Sequence, residues 1–313
     1  MELAFYADPP DTFKVWKDST YAMMAEAAKR GHRIHVFLQQ DMALRGRDVS
    51  VHAAHIGLTG SEEGEWFRVK GMQWRGLETF DAVIVRKDPP FDVDYLNATY
   101  LLELAEAKGA RVFNRPAAIR SSNEKLAIAR FPEFTVPTLV SALPELLRAF
   151  HEEYRDIILK PLNAMGGAGV FRVGPDGRNL GAILEMLTAN GTRAIMAQCY
   201  IPEIVDGDKR VLLINGQVVP YALARIPQRG EVRGNLAAGG VGRAQPLTPE
   251  DRRIAETLAP VLAEEGHFLV GLDIIGKWLT EINVTSPTCF REITRQTGFN
   301  VAGLFMDELE KAV

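Results

Sequence analysis

Two cysteines, Cys199 and Cys289, are all that the 313-residue chain contains. So few, so far apart, exclude a dense disulfide framework and a zinc site of paired cysteines. Each reads first as a small buried hydrophobe, and the expected compartment is a reducing cytoplasm. Histidine is also scarce, with six residues, none of them in a motif. No apolar run approaches the roughly 20 residues of a membrane span. The opening MELAFYADPP has no basic stretch followed by a long apolar one, so no secretory signal and no membrane partner are expected. A net charge of -4 argues against a nucleic-acid partner, because neutralising phosphates takes an excess of Lys and Arg. Two phosphate-binding signatures are missing as well. No GxGxxG follows the first strand, and GxxxxGK[ST] is absent throughout.

What remains is ordinary globular material, 47% hydrophobic and 24% charged. At about 150 residues per domain the length suggests roughly two domains. LAFYAD reads as a buried strand. Asp18-Ser19-Thr20 offers N-caps to a helix that Gly31 closes, and RIHVFLQ is a second strand. That order implies a parallel pair with a crossover helix. Residues 48–75, punctuated by Gly57, Gly60, Gly64 and Gly71, suggest short antiparallel strands or hairpins. Ala82 to Val85 has the β-branching of a central strand. Arg86-Lys87-Asp88-Pro89-Pro90 follows at its carboxyl end, where open α/β sheets bind ligands. Those residues are either an anion clamp or a Pro-stiffened solvated loop. A helix spans Asp94 to Lys108, then RVFN is a strand.

A new unit is expected to begin with a helix over 121–130, placing Lys125 in its first two turns. DIILKPLNAMGGAGVFRV then gives two strands around a loop holding Gly166, Gly167 and Gly169. Small residues let backbone N–H groups fold over phosphate oxygens. Lys160, at the strand end, adds a point charge. The alternative is a tight turn. A further helix stops at Gly191, and AIMAQCYIP is a strand ending at Pro202. Its extended backbone from Gln198 to Ile201 could pair with the edge of an adenine, a role that side chains do not reveal.

In the last third, Asn215-Gly216 between two β-rich runs is a type I′ hairpin signal. Arg210 and Arg225 lie near the open ends of its arms. Residues 226–245 carry glycines and arginines without periodicity. A loop this long suits a lid over an anionic substrate, or a slack connection. Thr248-Pro249-Glu250-Asp251 caps a helix to about Glu265. FLVGLDIIGKWLTEINVTSPT reads as two strands around a three-residue turn, Gly276 to Trp278. That register sets Asp273 opposite Glu281, with Asn283 as diagonal neighbour. Three oxygen donors suit Mg²⁺ or Mn²⁺ bridging phosphates. A polar outer hairpin face is the alternative.

In combination, Lys125, Lys160 with NAMGGAG, QCYIP, GDKRVLL, ARIPQRGEVRGNLAAGG and GLDIIG…LTEINVTSPT resemble an ATP-grasp ligase. With VWKDST, VRKDPPFD, NRPAAIRSSNEKL and INVTSPTCFREI, the likeness is to the prokaryotic glutathione synthetase family over nearly the whole chain. It implies an α/β (α+β) fold, an N-terminal parallel-sheet domain followed by a two-subdomain ATP-grasp fold. The parts would be 1–120 for substrate, 121–200 with the phosphate loop, and 201–313 with the metal site and mobile loop. The implied reaction joins γ-glutamylcysteine and glycine at the expense of ATP, with two Mg²⁺ (or Mn²⁺). Lys125 and Lys160 would hold the phosphates, covered by Gly166, Gly167 and Gly169. Gln198, Cys199, Tyr200 and Ile201 would form the adenine hinge, with Asp208 near the ribose. Arg210 would reach the phosphates, Arg225 the acyl phosphate, and Arg233 would come from the lid. Asp273, Glu281 and Asn283 would bind metal. Lys17, Asp18, Arg86, Asn283, Ser286, Pro287 and Thr288 would position γ-glutamylcysteine. The family also implies a homo-oligomer, dimer or tetramer, with helix faces in the first 130 residues as candidate surfaces.

The chemistry requires such parts. A carboxylate has no good leaving group until it is phosphorylated, and two anions must first be brought together. Cations offset that repulsion. The acyl phosphate hydrolyses in water, so the site must close. Two rivals remain on sequence alone. One is another carboxylate–amine ligase, such as a D-alanine–D-alanine or glutamate-adding enzyme, which would change Arg86 and the 286–288 loop. The other is a nucleotide-binding module without ligase activity.

Overall fold

The computed structural model describes residues 1–61, 64–228, 230, 231, 233, 234, 236 and 239–313. Three β-sheets follow one another along the chain.

The first holds β1 (Glu2–Tyr6), β2 (Arg33–Phe37), β3 (Met42–Arg45), β4 (Asp48–Leu58), β5 (Phe67–Gly76), β6 (Ala82–Val85) and β7 (Val112–Phe113). Its centre, β2-β1-β6-β7, is parallel. β1 and β6 are almost wholly buried, as continuous apolar runs in parallel strands require. The crossover α1 (Ser19–Lys29) starts where Asp18 accepts the Tyr21 N–H at 2.7 Å. α2 (Val93–Glu106) is capped in the same way by Asp92. Antiparallel β4, β3 and β5 extend this parallel core. The 48–75 segment is thus one long hairpin of 11- and 10-residue strands rather than several short ones. Gly57 and Gly71 lie inside the strands, and the reversal carries Gly60 and Gly64 at positive φ.

After α3 (Pro116–Ser121) the helix expected over 121–130 does not form; Leu126–Arg130 is a 3₁₀ turn. Asn123 is the cause. Its Oδ1 accepts the N–H groups of Lys125 and Leu126, at 3.1 and 3.0 Å, and turns the backbone there.

The second sheet, in order β10-β9-β11-β8, comprises β8 (Thr138–Ser141), β9 (Ile157–Pro161), β10 (Phe171–Val173) and β11 (Ile195–Cys199). Helices α4 (Pro144–Tyr154) and α5 (Leu180–Thr188) contribute Leu147 and Leu184 to its core, beside Leu159 and Ala197.

The third sheet, in order β14-β13-β12-β15-β16, is antiparallel. Its strands are β12 (Asp208–Ile214), β13 (Gln217–Ile226), β14 (Val241–Pro246), β15 (Leu269–Ile275) and β16 (Trp278–Asn283). Asn215 and Gly216 both have positive φ, as the type I′ turn demands. α6 (Pro249–Glu264) begins with a capping box of Thr248 and Asp251. Lys209 reaches the buried Asp251 from the opposite face of β12 to Asp208 and Arg210.

The last helices, α7 (Phe290–Thr297) and α8 (Val301–Ala312), return to the first sheet. Phe290, Phe305 and Met306 share one core with Leu3, Phe5, Met24 and Ile84. Buried Asn114 ties the end of β7 to the third sheet. It donates to the carbonyls of Leu269 and Val284 and accepts the Leu269 N–H.

Candidate active site

One cleft of about 470 Å³ opens where the three sheets meet. The second sheet gives it Lys160 from the end of β9 and the loop with Gly166 and Gly167. Those glycines have φ of 63 and 81°, where a Cβ would be strained. Gly169 is not on the lining; a Cβ there would lie 3.0 Å from Pro161 Cγ, so it serves packing behind the loop. Lys160 is buried and donates to the Thr280 carbonyl at 3.2 Å. Loss of water pushes its ammonium down to about 8, against a smaller upward pull from Glu281.

Gln198 to Ile201 line the cleft at the end of β11. The Gln198 side chain donates to Thr138, and the N–H groups of Cys199 and Tyr200 go to the carbonyls of Pro137 and Asp156. Arg172 lies over the Tyr200 ring, 3.6 Å from its centroid.

The opposite wall is β12, β13, β15 and β16. Asp273 faces Glu281, with Asn283 across from Gly271. The register arises differently from expectation. The turn between the strands is two residues long, and a β-bulge after Asp273 supplies the offset. Without that bulge, Thr280 would stand opposite Asp273.

Asp273 accepts Arg210 Nε at 2.6 Å on one oxygen and Arg225 Nη2 at 2.8 Å on the other. Burial would raise this carboxyl, but the two guanidinia outweigh burial and hold it well below the usual range. Asp208 also pairs with Arg225, yet its Oδ1 is buried without a partner. Burial pushes Asp208 up to about 6, only partly countered by Arg225. Glu281 Oε1 accepts Lys125 Nζ at 2.9 Å, and the same ammonium donates to the Ala164 carbonyl at 2.6 Å. Lys125 therefore clamps the glycine loop to the acidic strand. Asn283 donates Nδ2 to the Gly271 carbonyl at 3.0 Å. Among the described residues, no group of three or more His, Cys, Asp or Glu side chains is gathered tightly enough to hold a metal by itself. The oxygen donors here are two carboxylates and an amide.

The expected lid is shorter than 226–245, because β13 runs to Ile226 and β14 starts at Val241. Residues 229, 232, 235, 237 and 238 of that expectation lie outside the described residues. Arg233 and Leu236 line the cleft, and Arg233 pairs with Glu231 at 3.0 Å. Gly234 sits against Arg225, whose carbonyl oxygen would be 2.2 Å from an added Cβ.

At the far end, Lys17, Asp18, Ser286, Pro287 and Thr288 line the cleft. Ser286 donates to Asp88. Arg86 is behind the lining rather than on it. It donates to Thr20 Oγ1 and the Pro287 carbonyl, both at 3.0 Å, and its Nη1 is buried without a partner.

Sequence reasoning quoted the segments that hold Glu124, Asp88 and Glu292 but gave these three no role of their own, and all are on the lining. Glu124 Oε1 accepts the N–H groups of Val284 and Thr285 and the Thr285 hydroxyl, and its own carbonyl accepts the Ile282 N–H. It joins the Lys125 segment to the start of the 284–288 loop. Its position beside Lys125 was the available signal.

Comparisons with known proteins identify the family and the fold. Residues 1–120 match the family model "Prokaryotic glutathione synthetase, N-terminal domain", and residues 124–298 match "Prokaryotic glutathione synthetase, ATP-grasp domain". A protein of Ralstonia nicotianae named glutathione synthetase is 60% identical over 100% of this chain and 96% of its own length. One of Nitrosomonas europaea with the same name is 55% identical over 100% and 98%. One of Vibrio parahaemolyticus is 47% identical over 100% and 99%. Among solved structures, the D-cycloserine synthetase DcsG superposes with a TM-score of 0.69 at 15% identity, covering 99% of both chains. The ATP-grasp ligase PsnB with a precursor peptide and AMPPNP reaches 0.63 at 20%, covering 99% and 97%. At such identities these two report the fold alone, which is the ATP-grasp fold.

Proposed function

The chain belongs to the prokaryotic glutathione synthetase family, and from that premise we propose how its residues carry out the ATP-dependent ligation of γ-glutamylcysteine and glycine. The carrying observation is one cleft that joins a desolvated lysine and glycine loop to a buried Arg–Asp–Arg cluster.

The proposed division is 1–120 for the acyl substrate, 121–200 for the nucleotide, and 201–313 for metal and acyl phosphate. ATP enters between the two walls. Lys125 and Lys160 take its phosphates under Gly166 and Gly167, with Gly169 shaping the loop from behind. Cys199 and Tyr200 have already engaged their N–H groups, so the adenine edge reads their carbonyls and the Ile201 N–H. Gln198 fixes the strand, and Asp208, with one unsatisfied oxygen, faces the ribose.

Asp273, Glu281 and Asn283 form an oxygen donor set that fits two hard divalent ions, Mg²⁺ or Mn²⁺. Lys125 on Glu281 and the guanidinia on Asp273 supply positive charge where such ions would add theirs. Bound metal would neutralise the phosphates during transfer. Arg210 and Arg225 orient the phosphoryl group and steady the oxyanion formed when glycine attacks. Arg233 and Leu236 close over the intermediate and keep water from it. Lys17, Asp18 and the 286–288 loop hold γ-glutamylcysteine. Arg86 acts through the Pro287 carbonyl, as a positioning residue.

We further propose a homo-oligomer, dimer or tetramer. β5 pairs with β4 alone among the described strands and exposes Val69, Met72 and Trp74. Of the helices, α1 is covered by α8, whereas α2 exposes Val93, Tyr100 and Leu104, so the β5 edge and the α2 face both support the reading. Among the described residues no helix is long and apolar enough to cross a membrane. Two free cysteines accord with a cytoplasmic setting.

The test is ADP release with Mg-ATP, γ-glutamylcysteine and glycine, each omitted in turn. Release that needs both acceptors is expected. Release that ignores γ-glutamylcysteine but answers another carboxylate overturns the substrate assignment. For the metal set, Glu281→Gln should cut Mg²⁺-dependent turnover about 10²- to 10³-fold while the fold survives. Rates like those of the unaltered enzyme would remove Glu281 from the ligands.

A further inference from the structure

The bulge between β15 and β16 places one residue where a regular ladder has none. Ile274 faces Leu279 and Asp273 faces Glu281, so Thr280 is the extra residue, with nothing opposite it. Side chains alternate along a regular strand, yet Thr280 and Glu281, neighbours in sequence, both line the cleft. Leu279 and Ile282, on either side of them, pack into the core behind. The bulge has thus turned a second residue towards the cleft and freed its backbone from the ladder.

Thr280 uses both of its oxygens across this seam. Its hydroxyl donates to the Asp273 carbonyl at 3.1 Å, pinning the two sides of the bulge together. Its own carbonyl accepts Lys160 Nζ at 3.2 Å, from the opposite wall of the cleft. Thr280 and Lys160 are 9% and 7% exposed, so little water competes for either bond. An ammonium carries three donors. One goes to Thr280, and Lys160 makes no direct ion pair among the described residues. Fixing that one donor directs the other two, on a stem that is otherwise flexible.

We propose that Thr280 is the positioning residue of Lys160. The bulge carbonyl holds the ammonium where the phosphates of ATP arrive, and the hydroxyl keeps that carbonyl aimed across the cleft. The inference rests on the ligase reading above and deepens it. Thr280 acts through Lys160 and has no part of its own in phosphoryl transfer. The arrangement ties the phosphate-binding cation to the register of the acidic strand. Whatever shifts Asp273 against Glu281 also shifts Lys160.

The experiment compares Thr280→Val, which keeps the shape and loses the hydroxyl, with Thr280→Ser, which keeps the hydroxyl. Equilibrium binding of Mg-ATP is measured with both acceptors left out, and KM for γ-glutamylcysteine is measured by ADP release. Thr280→Val should weaken Mg-ATP binding about 3- to 10-fold, the range of one buried hydrogen bond, and Thr280→Ser by no more than about twofold. KM for γ-glutamylcysteine should stay within about twofold in both variants, since the change is confined to Lys160. Lys160→Met removes the group through which Thr280 acts, so adding Thr280→Val to it should weaken Mg-ATP binding no further. If Thr280→Val fails to fold, Thr280→Ala takes its place with the same loss expected. Mg-ATP binding as tight as that of the unaltered enzyme in either variant would overturn the proposal. So would the full loss persisting on top of Lys160→Met. A parallel rise in KM for γ-glutamylcysteine would overturn it too, since a general loosening of the cleft produces that. All three outcomes leave ligation itself intact. Absence of ADP release with γ-glutamylcysteine and glycine would instead overturn the ligase reading, while the binding measurement would still judge Thr280.

Discussion

The two walls of the cleft handle buried charge in opposite ways. On the β9 wall, Lys160 is desolvated, donates to one carbonyl and makes no direct ion pair among the described residues, with Glu281 acting on it only through space. On the β12–β15 wall, Arg210, Arg225, Asp208 and Asp273 are equally buried but neutralise one another. The first wall is incomplete until an anion arrives. The second has its charges paired before any ligand arrives, with one Asp208 oxygen left without a donor. A site that must bring a carboxylate to a triphosphate needs both. An unpaired cation supplies attraction, and a charge-paired cluster supplies donors whose positions are already fixed.

The sharpest way to break this contrast is to open the charge-paired wall. Asp273→Ala leaves two guanidinia buried without their shared partner. It should cost about 3–5 kcal/mol of stability in urea denaturation, and turnover with it. A loss under about 1 kcal/mol would show that the cluster is not a unit. Lys160→Met probes the other wall. ADP release should fall about 10²- to 10³-fold while the unfolding midpoint holds or rises, since a desolvated charge has been removed. A variant that is both inactive and clearly less stable would erase the difference between the walls.

A smaller effect is the pH dependence of Lys160. Its folded-state value of about 8 lies below the ordinary 10.5. The unfolded chain therefore holds this proton more tightly, and the stability penalty is fully present below pH about 8. As pH rises from there towards 10.5, the penalty fades, and the stability gap between Lys160→Met and the unaltered enzyme should narrow. Over the same interval the uncharged amine attracts phosphate less, so KM for ATP should climb above pH about 8. Lys160→Arg should flatten that climb; an unchanged profile would detach it from Lys160. The smallest effect belongs to Cys199. Its backbone N–H is bound to Pro137, so Cys199→Ala should alter KM for ATP by no more than about twofold.

Side chains proposed to do chemistry were the most legible part of the sequence. Lys160 with its glycines, Asp273 with Glu281, and the paired arginines announced themselves by residue type and spacing. What escaped reading was held by the backbone. The Asp273–Glu281 register depends on a bulge that no residue type encodes. Lys125 sits in a 3₁₀ entry and not a helix because Asn123 competes for its N–H. Helix propensity in EKLAIAR lost to that side chain and to Glu124, which is committed to the 282–285 backbone. Glycines in β4 and β5 suggested breaks, but extended φ suits glycine as well as any residue, and only Gly60 and Gly64 turn the chain. Glu292 stood inside the quoted INVTSPTCFREI segment, but residue type and spacing gave no sign that its Oε2 would be buried without a partner.

The return of α7 and α8 to the first sheet has a consequence for synthesis. Leu3, Phe5, Met24 and Ile84 belong to a core that Phe290, Phe305 and Met306 complete. The strands of that sheet have emerged by Phe113, but its cover is translated only after the other two sheets. At about 5–20 residues per second, the interval is on the order of 10 to 40 seconds. Through that time the nascent chain carries an open apolar face, and a holdase chaperone has a defined surface and a defined window in which to protect it.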